Sequence, residues 1–210
     1  MDKHGTKERP ILIAMKGHPG TGKSTLANAL AKALKFPLID KDHFRDSTLP
    51  IQRALEQTAV LTTEAAANLL NDLSYDAMWR SAATQLDLGL SVVVDSPLSR
   101  RAHLDRLLEI ASGGRVVVVE CRAGDEAEWR RRIESRAAAG GGWRHKPATW
   151  AEMGRLLEGY GGCWEYDVGE VARIVLDTTK DGVEVGDLVS KVIGFVHSSE
   201  KCWVRPDSTR

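Results

Sequence analysis

The sequence predicts an α/β fold in which a five-stranded parallel sheet carries helices on both faces. Short apolar runs alternate along the chain with stretches in which apolar residues recur at helical spacing. The apolar runs lack the polar alternation of half-exposed strands, as expected of parallel strands that are covered on both sides. Crossovers between parallel strands are right-handed, and such sheets bind ligands at the carboxyl ends of their strands.

The predicted elements follow one another in a regular order. The first strand is residues 11–15, and the helix after it has Leu26, Leu30 and Leu34 on one face. Further apolar runs predict strands at 36–40, 91–95, 115–120 and 172–177. Helical patterns lie at 51–88, 100–111, 125–138, 149–159 and 184–196. We expect the strand order 2-3-1-4-5, with one helical segment forming a lid over the carboxyl ends of the strands.

The composition is that of one ordinary globular domain. Of the 210 residues, 28% are charged and 42% hydrophobic, and the formal net charge of zero argues against a generally basic nucleic-acid binder. No apolar run reaches the length of about 18 residues that a membrane span needs. The three cysteines have no C-x-x-C spacing, and the polar N-terminus does not resemble a secretion signal. We therefore expect reduced thiols in a cytoplasmic protein. We expect one domain over residues 10–197, between flexible tails at 1–9 and 198–210.

A glycine-rich loop at residues 17–24 reads G-x-x-x-x-G-K-S and joins the first strand to the first helix. This context is typical of a P-loop that binds nucleotide phosphates. Glycines let successive backbone N–H groups point at a phosphate, and the helix N-terminus adds positive charge. We expect Lys23 to contact the β- and γ-phosphates of ATP and Ser24 to ligate Mg²⁺. The predicted phosphate-binding residues are Gly17, His18, Pro19, Gly20, Thr21, Gly22, Lys23, Ser24 and Thr25.

Three acidic residues lie where predicted strands end. Asp95 ends the third strand, the usual position of the acid that holds Mg²⁺, although a helix N-cap is the alternative because Ser-Pro follows. Asp40 and Asp42 follow the second strand, and a loop there can bring Asp42 to the hydroxyl that attacks the γ-phosphate. The alternative for Asp42 is a solvated turn acid. Asp95 and Arg100 are also predicted to contact the substrate, although Arg100 can equally begin a surface helix.

The segment Asp42-His43-Phe44-Arg45, together with the P-loop, carries a resemblance to known proteins. The chain resembles the small kinases of the P-loop NTPase fold that include zeta toxins, chloramphenicol phosphotransferase, and the gluconate and shikimate kinases. The resemblance spans about residues 10–196. It implies phosphoryl transfer, with Asp42 as the general base for a substrate hydroxyl and Arg45 as a substrate- or phosphate-binding residue. Residues 46–88 are then expected to form most of the acceptor side.

Arginines dominate the segment after the fourth strand. Arg132 and Arg136 share one helix face, and a run of three glycines begins at Gly140. A cationic helix over ATP would stabilise transition-state charge, so residues 125–146 are predicted to form a lid in which Arg132 and Arg136 are catalytic and Arg132 also binds ATP. A solvated helix with arginine–glutamate pairs is the alternative. By fold analogy, Asp177 and Thr178 are expected beside adenine.

These residues predict a cytoplasmic, ATP-dependent phosphotransferase that uses Mg²⁺ and moves the γ-phosphate of ATP to a hydroxyl of a small molecule. A GTPase is not expected, because the sequence has neither an N-K-x-D motif nor a D-x-x-G motif after the third strand. Two alternatives stay open. One is a polynucleotide 5′-hydroxyl kinase, which the neutral charge makes less favourable. The other is a non-catalytic ATP-binding regulator, against which Lys23, Ser24, Asp42 and Asp95 argue together.

Overall fold

The structure, a computed structural model, describes residues 9–58, 61–139 and 146–199. Predictions that fall on residues 1–8, 59–60, 140–145 and 200–210 lie outside the described residues, and these include most of both tails and the glycine run of the predicted lid. All five predicted strands fall inside the described ranges.

The sheet has five parallel strands: β1 (Ile11–Lys16), β2 (Leu38–Asp40), β3 (Val92–Asp95), β4 (Arg115–Arg122) and β5 (Ala172–Asp177). Their order is β2-β3-β1-β4-β5, which confirms the predicted parallel sheet and its topology. The connection after β1 runs toward the β2 edge of the sheet, whereas the connection after β3 runs toward the β5 edge. A ligand site is expected at this switch point, at the carboxyl ends of β1 and β3.

The helices pack on both faces of the sheet. Within the described residues they are α1 (Lys23–Leu34), α2 (Lys41–Ser47), α3 (Leu49–Gln57), α4 (Thr63–Asp87), α5 (Arg101–Ile110), α6 (Glu126–Ala138), α7 (Trp150–Gly159) and α8 (Val185–Ser199). No helix in these ranges has the length and apolar character needed to cross a bilayer. The predicted lid pattern at 125–138 is α6.

Two apolar cores lie on opposite faces of the sheet, which explains the continuous apolar strands. On one face, Ile13 and Met15 of β1 pack in a cluster with residues of α1 and α8. On the other face, Leu12 and Ala14 pack in a cluster with residues of α4 and α5. All four β1 side chains are fully buried, and burial of an aliphatic side chain contributes about 1.5–3 kcal/mol. β1 is thereby fixed, and with it the start of the P-loop.

Three predicted boundaries need correction. The expected loop after β2 is absent, because the Asp40 carboxylate accepts from the Asp42 N–H (2.8 Å) and caps α2 directly at the end of the strand. The single helical pattern at 51–88 is two helices, since Thr62 caps a new helix by accepting from Ala65 N–H at 3.1 Å. The last helix continues to Ser199, past the predicted end at 196.

Candidate active site

The P-loop follows β1 and takes a shape that needs glycine at two positions. Gly20 and Gly22 have φ values of 82° and 77°, in the left-handed region that other residues avoid. A Cβ at Gly20 would lie 2.8 Å from Ile133 Cγ1 of α6, so a side chain at this position would collide with the helix above it. Gly22 is the N-cap of α1, so the positive end of that helix opens into the loop.

Lys23 is bound to the acid at the end of β3. Its Nζ donates to Asp95 Oδ1 and lies 3.5 Å from Ser24 Oγ. The Asp95 side chain is fully buried, and its Oδ2 has no hydrogen-bond partner among the described residues. Burial lowers the pKa of Lys23, but the Asp95 charge and hydrogen bond, aided by Asp42 and Asp40, outweigh burial and hold that pKa above its ordinary value.

Asp40 and Asp42 have different environments although they are two residues apart. Asp40 pairs in register with Asp95 across β2 and β3, and burial followed by the Asp95 charge raises the pKa of Asp40. Asp42 lies in the first turn of α2 and forms ion pairs with Lys41 Nζ (2.9 Å) and Lys146 Nζ (2.7 Å). Asp42 alone of the three acids lines the cavity described next.

A cavity of about 930 Å³ lies over the carboxyl ends of β1 and β3. It brings together the P-loop, the start of α2, one side of α4, the start of α5 and the inner side of α6. The predicted site residues that line it are Gly17, His18, Pro19, Gly20, Gly22, Lys23, Ser24, Thr25, Asp42, Arg100, Arg132, Arg136 and Thr178. Four predicted site residues are absent from the lining: Thr21, Arg45, Asp95 and Asp177.

The structure does not bring Arg45 or Asp177 to the cavity. Arg45 is buried between helices, where it donates to Thr48 Oγ1 (3.0 Å) and Gln52 Oε1 (2.5 Å) and ties α2 to α3. Asp177 Oδ1 instead accepts from Gly124 N–H and from both the N–H and hydroxyl of Thr179. These two placements run against the predicted substrate role of Arg45 and adenine role of Asp177. Thr178, next along the chain, does line the cavity.

Helix α6 is packed onto the P-loop. Trp129 Nε1 donates to Pro19 O (2.8 Å), and Ile133 is fully buried against Gly20. Arg132 donates to Glu128 Oε1 (2.7 Å), to Thr178 O (3.0 Å) and to Thr178 Oγ1 (3.3 Å). Its guanidinium group is therefore held on the β5 side of the cavity. The helix is a wall of the cavity rather than a detached flap.

The four arginines of α6 divide into two pairs. Arg130 and Arg131 are exposed and bind glutamates of the same helix, as in the solvated alternative. Arg136 is directed into the cavity and donates to Pro147 O (2.9 Å). Burial lowers the pKa of Arg136, with the Asp42 charge opposing. Arg132 and Arg136 therefore share the cavity, at its β5 side and its Asp42 side respectively.

An aromatic stack supports the P-loop from behind. The ring centroids of His18 and Trp164 lie 3.5 Å apart, and Lys16 Nζ lies 3.5 Å from the Trp164 ring centroid while it donates to the Trp164 carbonyl (3.1 Å). Burial, followed by the charges of Lys16 and Arg122, lowers the pKa of His18 to about 4. Burial also lowers the pKa of Lys16 to about 8 against the opposing charge of Glu120. His18 is therefore neutral at neutral pH.

Sequence reasoning missed the polar residues that line the far side of the cavity. Asn68, Asn71 and Asp72 of α4 have the i, i+3, i+4 spacing of one helix face, which was the available signal. It was hidden because the same stretch contains Leu69, Leu70 and Leu73. The other missed lining residues with polar or aromatic side chains are Lys41, Tyr75, Ser99, His103, Lys146 and Tyr160.

The fold and this site define a P-loop protein with the fold of small kinases: a glycine loop at the switch point of a 2-3-1-4-5 sheet, under a helix that carries arginines into the same cavity. The family described as AAA domain matches residues 12–159, well over half of the chain. The chain therefore belongs to this AAA domain family.

Several known proteins are similar to this chain. A candidate kinase of Chloroflexus aurantiacus j-10-fl matches with a TM-score of 0.68 and 23% identity over 92% of this chain and 99% of its own. A gluconokinase of Sinorhizobium meliloti 1021 matches with a TM-score of 0.58 and 22% identity, over 93% and 97% respectively. The cytidylate kinase of Porphyromonas gingivalis is 41% identical over 66 residues, which are 30% of this chain and only 29% of that protein.

Proposed function

We propose that the protein is a cytoplasmic phosphotransferase that moves the γ-phosphate of ATP to a hydroxyl of a small molecule. The observation that carries this proposal is a single cavity that joins the P-loop to Asp42 and Arg136. Its volume of about 930 Å³ lies at the upper end of the range for ligand cavities and is ample for a nucleotide and a small acceptor. The names of two relatives, a gluconokinase and a cytidylate kinase, support a kinase with a small acceptor.

The nucleotide half of the cavity lies between the P-loop and the segment after β5. Val183, Val185 and Leu188 give it an apolar surface suited to a base, and Thr178 borders that surface. Arg132 lies between Thr178 and Gly22, since its Nη1 would be 3.6 Å from a Cβ at Gly22. We assign Arg132 to the nucleotide phosphates.

The residues at the end of β3 fit Mg²⁺. Asp95 Oδ2 is a buried carboxylate oxygen without a hydrogen-bond partner among the described residues, while Lys23 Nζ contacts both Asp95 Oδ1 and the Ser24 hydroxyl. Mg²⁺ prefers oxygen ligands and is held in such sites by one or two protein groups with phosphates and waters. Ser24 and Asp95 would hold it. When bound, Mg²⁺ would neutralise charge on the β- and γ-phosphates.

Asp42 and Arg136 are placed for the transfer step. The acceptor oxygen attacks the γ-phosphorus while the bond to the β–γ bridging oxygen breaks, and the hydroxyl proton passes to the Asp42 carboxylate. Lys41 and Lys146 hold that carboxylate in place from two sides. Arg136 has N–H groups beyond the one that binds Pro147 O, and these would bind the oxygens of the transferred phosphoryl group.

The narrower resemblance to zeta toxins and chloramphenicol phosphotransferase remains part of this proposal. It rests on residues 42–45, of which the structure brings Asp42 to the cavity and leaves Arg45 between helices. Asp42 as the base therefore keeps its support, and Arg45 as a substrate ligand does not.

The test is turnover with a metabolite pool. Purified protein is incubated with ATP, Mg²⁺ and fractionated metabolites, and products heavier by one phosphoryl group are detected by mass together with ADP. Asp42→Asn should lower the rate of product formation by about 10²–10⁴, whereas Asp76→Asn, which removes an exposed acid paired with Arg80 on α4, should leave it unchanged. ATP binding without turnover would favour a non-catalytic regulator. Phosphorylation of the 5′ end of an oligonucleotide supplied in place of the metabolites would favour a polynucleotide kinase.

A further inference from the structure

Residues 160–168 lie in the connection between α7 and β5, and we call them the clasp segment. Trp164 of this segment contacts residues at the start of the P-loop, and Tyr166 contacts the turn that follows β3. Neither side chain is among the residues that line the cavity. The two aromatic residues therefore act on the site, if at all, through the loops that they contact.

Trp164 contacts the residues on both sides of Gly17. The rings of His18 and Trp164 are stacked, and Lys16 Nζ lies against the Trp164 ring while it donates to the Trp164 carbonyl. The His18 carbonyl in turn accepts from the N–H (3.3 Å) and the hydroxyl (2.8 Å) of Thr21, and these bonds close the turn of the P-loop. The position of the Trp164 ring therefore affects the backbone N–H groups that the loop offers to a phosphate.

Tyr166 is bound to a strained turn after β3. Leu98 is fully buried and has a φ of 50°, in the left-handed region that leucine rarely adopts. Such a conformation costs free energy and persists only where its surroundings enforce it, most often at functional sites. The Tyr166 hydroxyl donates to Leu98 O (2.8 Å), and Arg101 Nη1 donates to Asp167 O (2.5 Å). Two hydrogen bonds therefore join the clasp segment to this turn.

The Leu98 turn contacts the P-loop through its backbone. Pro97 O, directly before Leu98, accepts from the Gly17 N–H at 3.3 Å. Ser99, directly after Leu98, lines the cavity. A return of Leu98 to an ordinary negative φ would rotate the neighbouring peptide groups and remove the acceptor of the Gly17 N–H. The clasp segment thus holds residues 16 and 18 through Trp164, and residue 17 through Tyr166 and the Leu98 turn.

We propose that the clasp segment sets the shape of the P-loop, with Trp164 and Tyr166 as positioning residues for the phosphates of ATP. The proposal rests on the proposed function only in requiring that ATP is bound. Its physical basis is preorganisation, since a loop whose N–H groups are already aligned loses less conformational freedom when it binds an anion. Without the Trp164 ring or the Tyr166 hydroxyl, part of the binding free energy would be needed to order residues 16–18.

Calorimetric titration of the purified chain with MgATP, and separately with adenosine, tests the proposal. Tyr166→Phe removes one hydroxyl and keeps the ring, whereas Trp164→Leu keeps an apolar side chain and removes the aromatic face. Each should weaken ATP binding about tenfold, the contribution of one hydrogen bond to a charged group, and change adenosine affinity by less than about twofold because adenosine has no phosphates. Trp164→Phe should recover most of the ATP affinity lost in Trp164→Leu, since phenylalanine again offers a ring to His18 and Lys16.

Two control variants separate positioning from stability. Phe36 packs against the apolar cluster of α1 and α8 just before β2, so Phe36→Leu removes core packing without touching either loop. Ser190→Ala removes a hydroxyl that donates to Gly186 O (3.0 Å) on the exposed side of α8. Both should leave the affinities for ATP and adenosine unchanged, although Phe36→Leu lowers the free energy of unfolding. Urea unfolding of each variant confirms that the titrations are made on folded protein.

Different results overturn different claims. ATP affinity within about twofold of wild type in Trp164→Leu or in Tyr166→Phe, well short of one hydrogen bond, would overturn the positioning role of that residue, and in both variants the whole proposal. An equal loss of ATP and adenosine affinity would also overturn it, because a general loss of structure does not discriminate between them. A wild-type chain that binds ATP and transfers phosphate to no acceptor would overturn the proposed function alone, and one that binds no ATP would overturn both.

Discussion

At the scale of single residues, Lys23 has to exchange one anion for another. In the structure it neutralises the buried Asp95, and in the proposed reaction it contacts phosphate. Lys23→Ala should abolish transfer and also lower the free energy of unfolding by about 3–5 kcal/mol, because a buried carboxylate loses its partner. The double variant Lys23→Ala/Asp95→Asn should recover most of the stability and none of the turnover. Urea unfolding and ATP titration check both, and full activity in the single variant would exclude the P-loop assignment.

Asp42 is the residue on which the acid–base step depends. Asp42→Asn should leave ATP affinity unchanged and lower kcat by about 10²–10⁴, the usual contribution of a positioned base. The lower end is favoured because loose phosphoryl transition states demand less from a base. Steady-state kinetics with the identified acceptor provides the measurement. A rise in acceptor KM at full kcat would make Asp42 a binding residue only.

The two cavity arginines of α6 should have separable roles. Arg136→Ala should lower kcat by at least about tenfold, since loss of one donor to transition-state charge commonly costs 10²–10³. Arg132→Ala should mainly raise the KM of ATP, because the guanidinium group of Arg132 is held beside Thr178 and Gly22. Arg131→Ala, exposed on the same helix, is the control. Single-turnover rates within twofold of wild type for Arg136→Ala would contradict its proposed role.

At the scale of elements, α6 shapes the P-loop through apolar contact as well as charge. Ile133→Ala should lower the free energy of unfolding by about 2–5 kcal/mol, the usual cost of such a core truncation, and should weaken ATP binding because Gly20 loses its support. Arg130→Ala should change stability by no more than about 0.5 kcal/mol. Urea denaturation and calorimetric ATP titration measure the two effects. Intact ATP affinity in Ile133→Ala would show that the loop holds its shape without α6.

The order of elements was predictable from sequence for a physical reason, and part of the site was not. Parallel strands covered on both sides have to be continuously apolar, and the G-x-x-x-x-G-K-S loop has one dominant use. The placement of Arg45 depended on whether residues 41–47 form a loop or a helix, which Asp40 decides by capping α2. The spacing of Asn68, Asn71 and Asp72 placed them on one face of α4, but only the packing of α4 against α2 and α3 determines that this face meets the cavity.

At the scale of the whole molecule, two neutral histidines should make stability depend on pH. Burial lowers the pKa values of His18 and His103 to about 4 in the folded protein, against about 6.5 when unfolded. Between these values the unfolded chain binds more protons, so the free energy of unfolding should fall as pH decreases from 6.5 to 4 and be fully retained above 6.5. Each histidine adds a slope of at most about 1.4 kcal/mol per pH unit.

The measurement is urea unfolding at a series of pH values. His103→Phe should remove the share of this slope due to His103, and His197, exposed on α8, offers the control substitution His197→Phe. Equal slopes in wild type and His103→Phe between pH 6.5 and 4 would contradict the buried, neutral state of His103.

The ring contacts of the P-loop also have an optical consequence. Trp129 donates to the Pro19 carbonyl and Trp164 stacks on His18, so two indoles directly touch the segment that has to surround a triphosphate. Indole emission responds to hydrogen bonding and to neighbouring rings, and any shift of this segment will alter the intrinsic fluorescence of the protein. Nucleotide occupancy can therefore be followed in solution without a label, and each indole can be assigned by replacing it with phenylalanine.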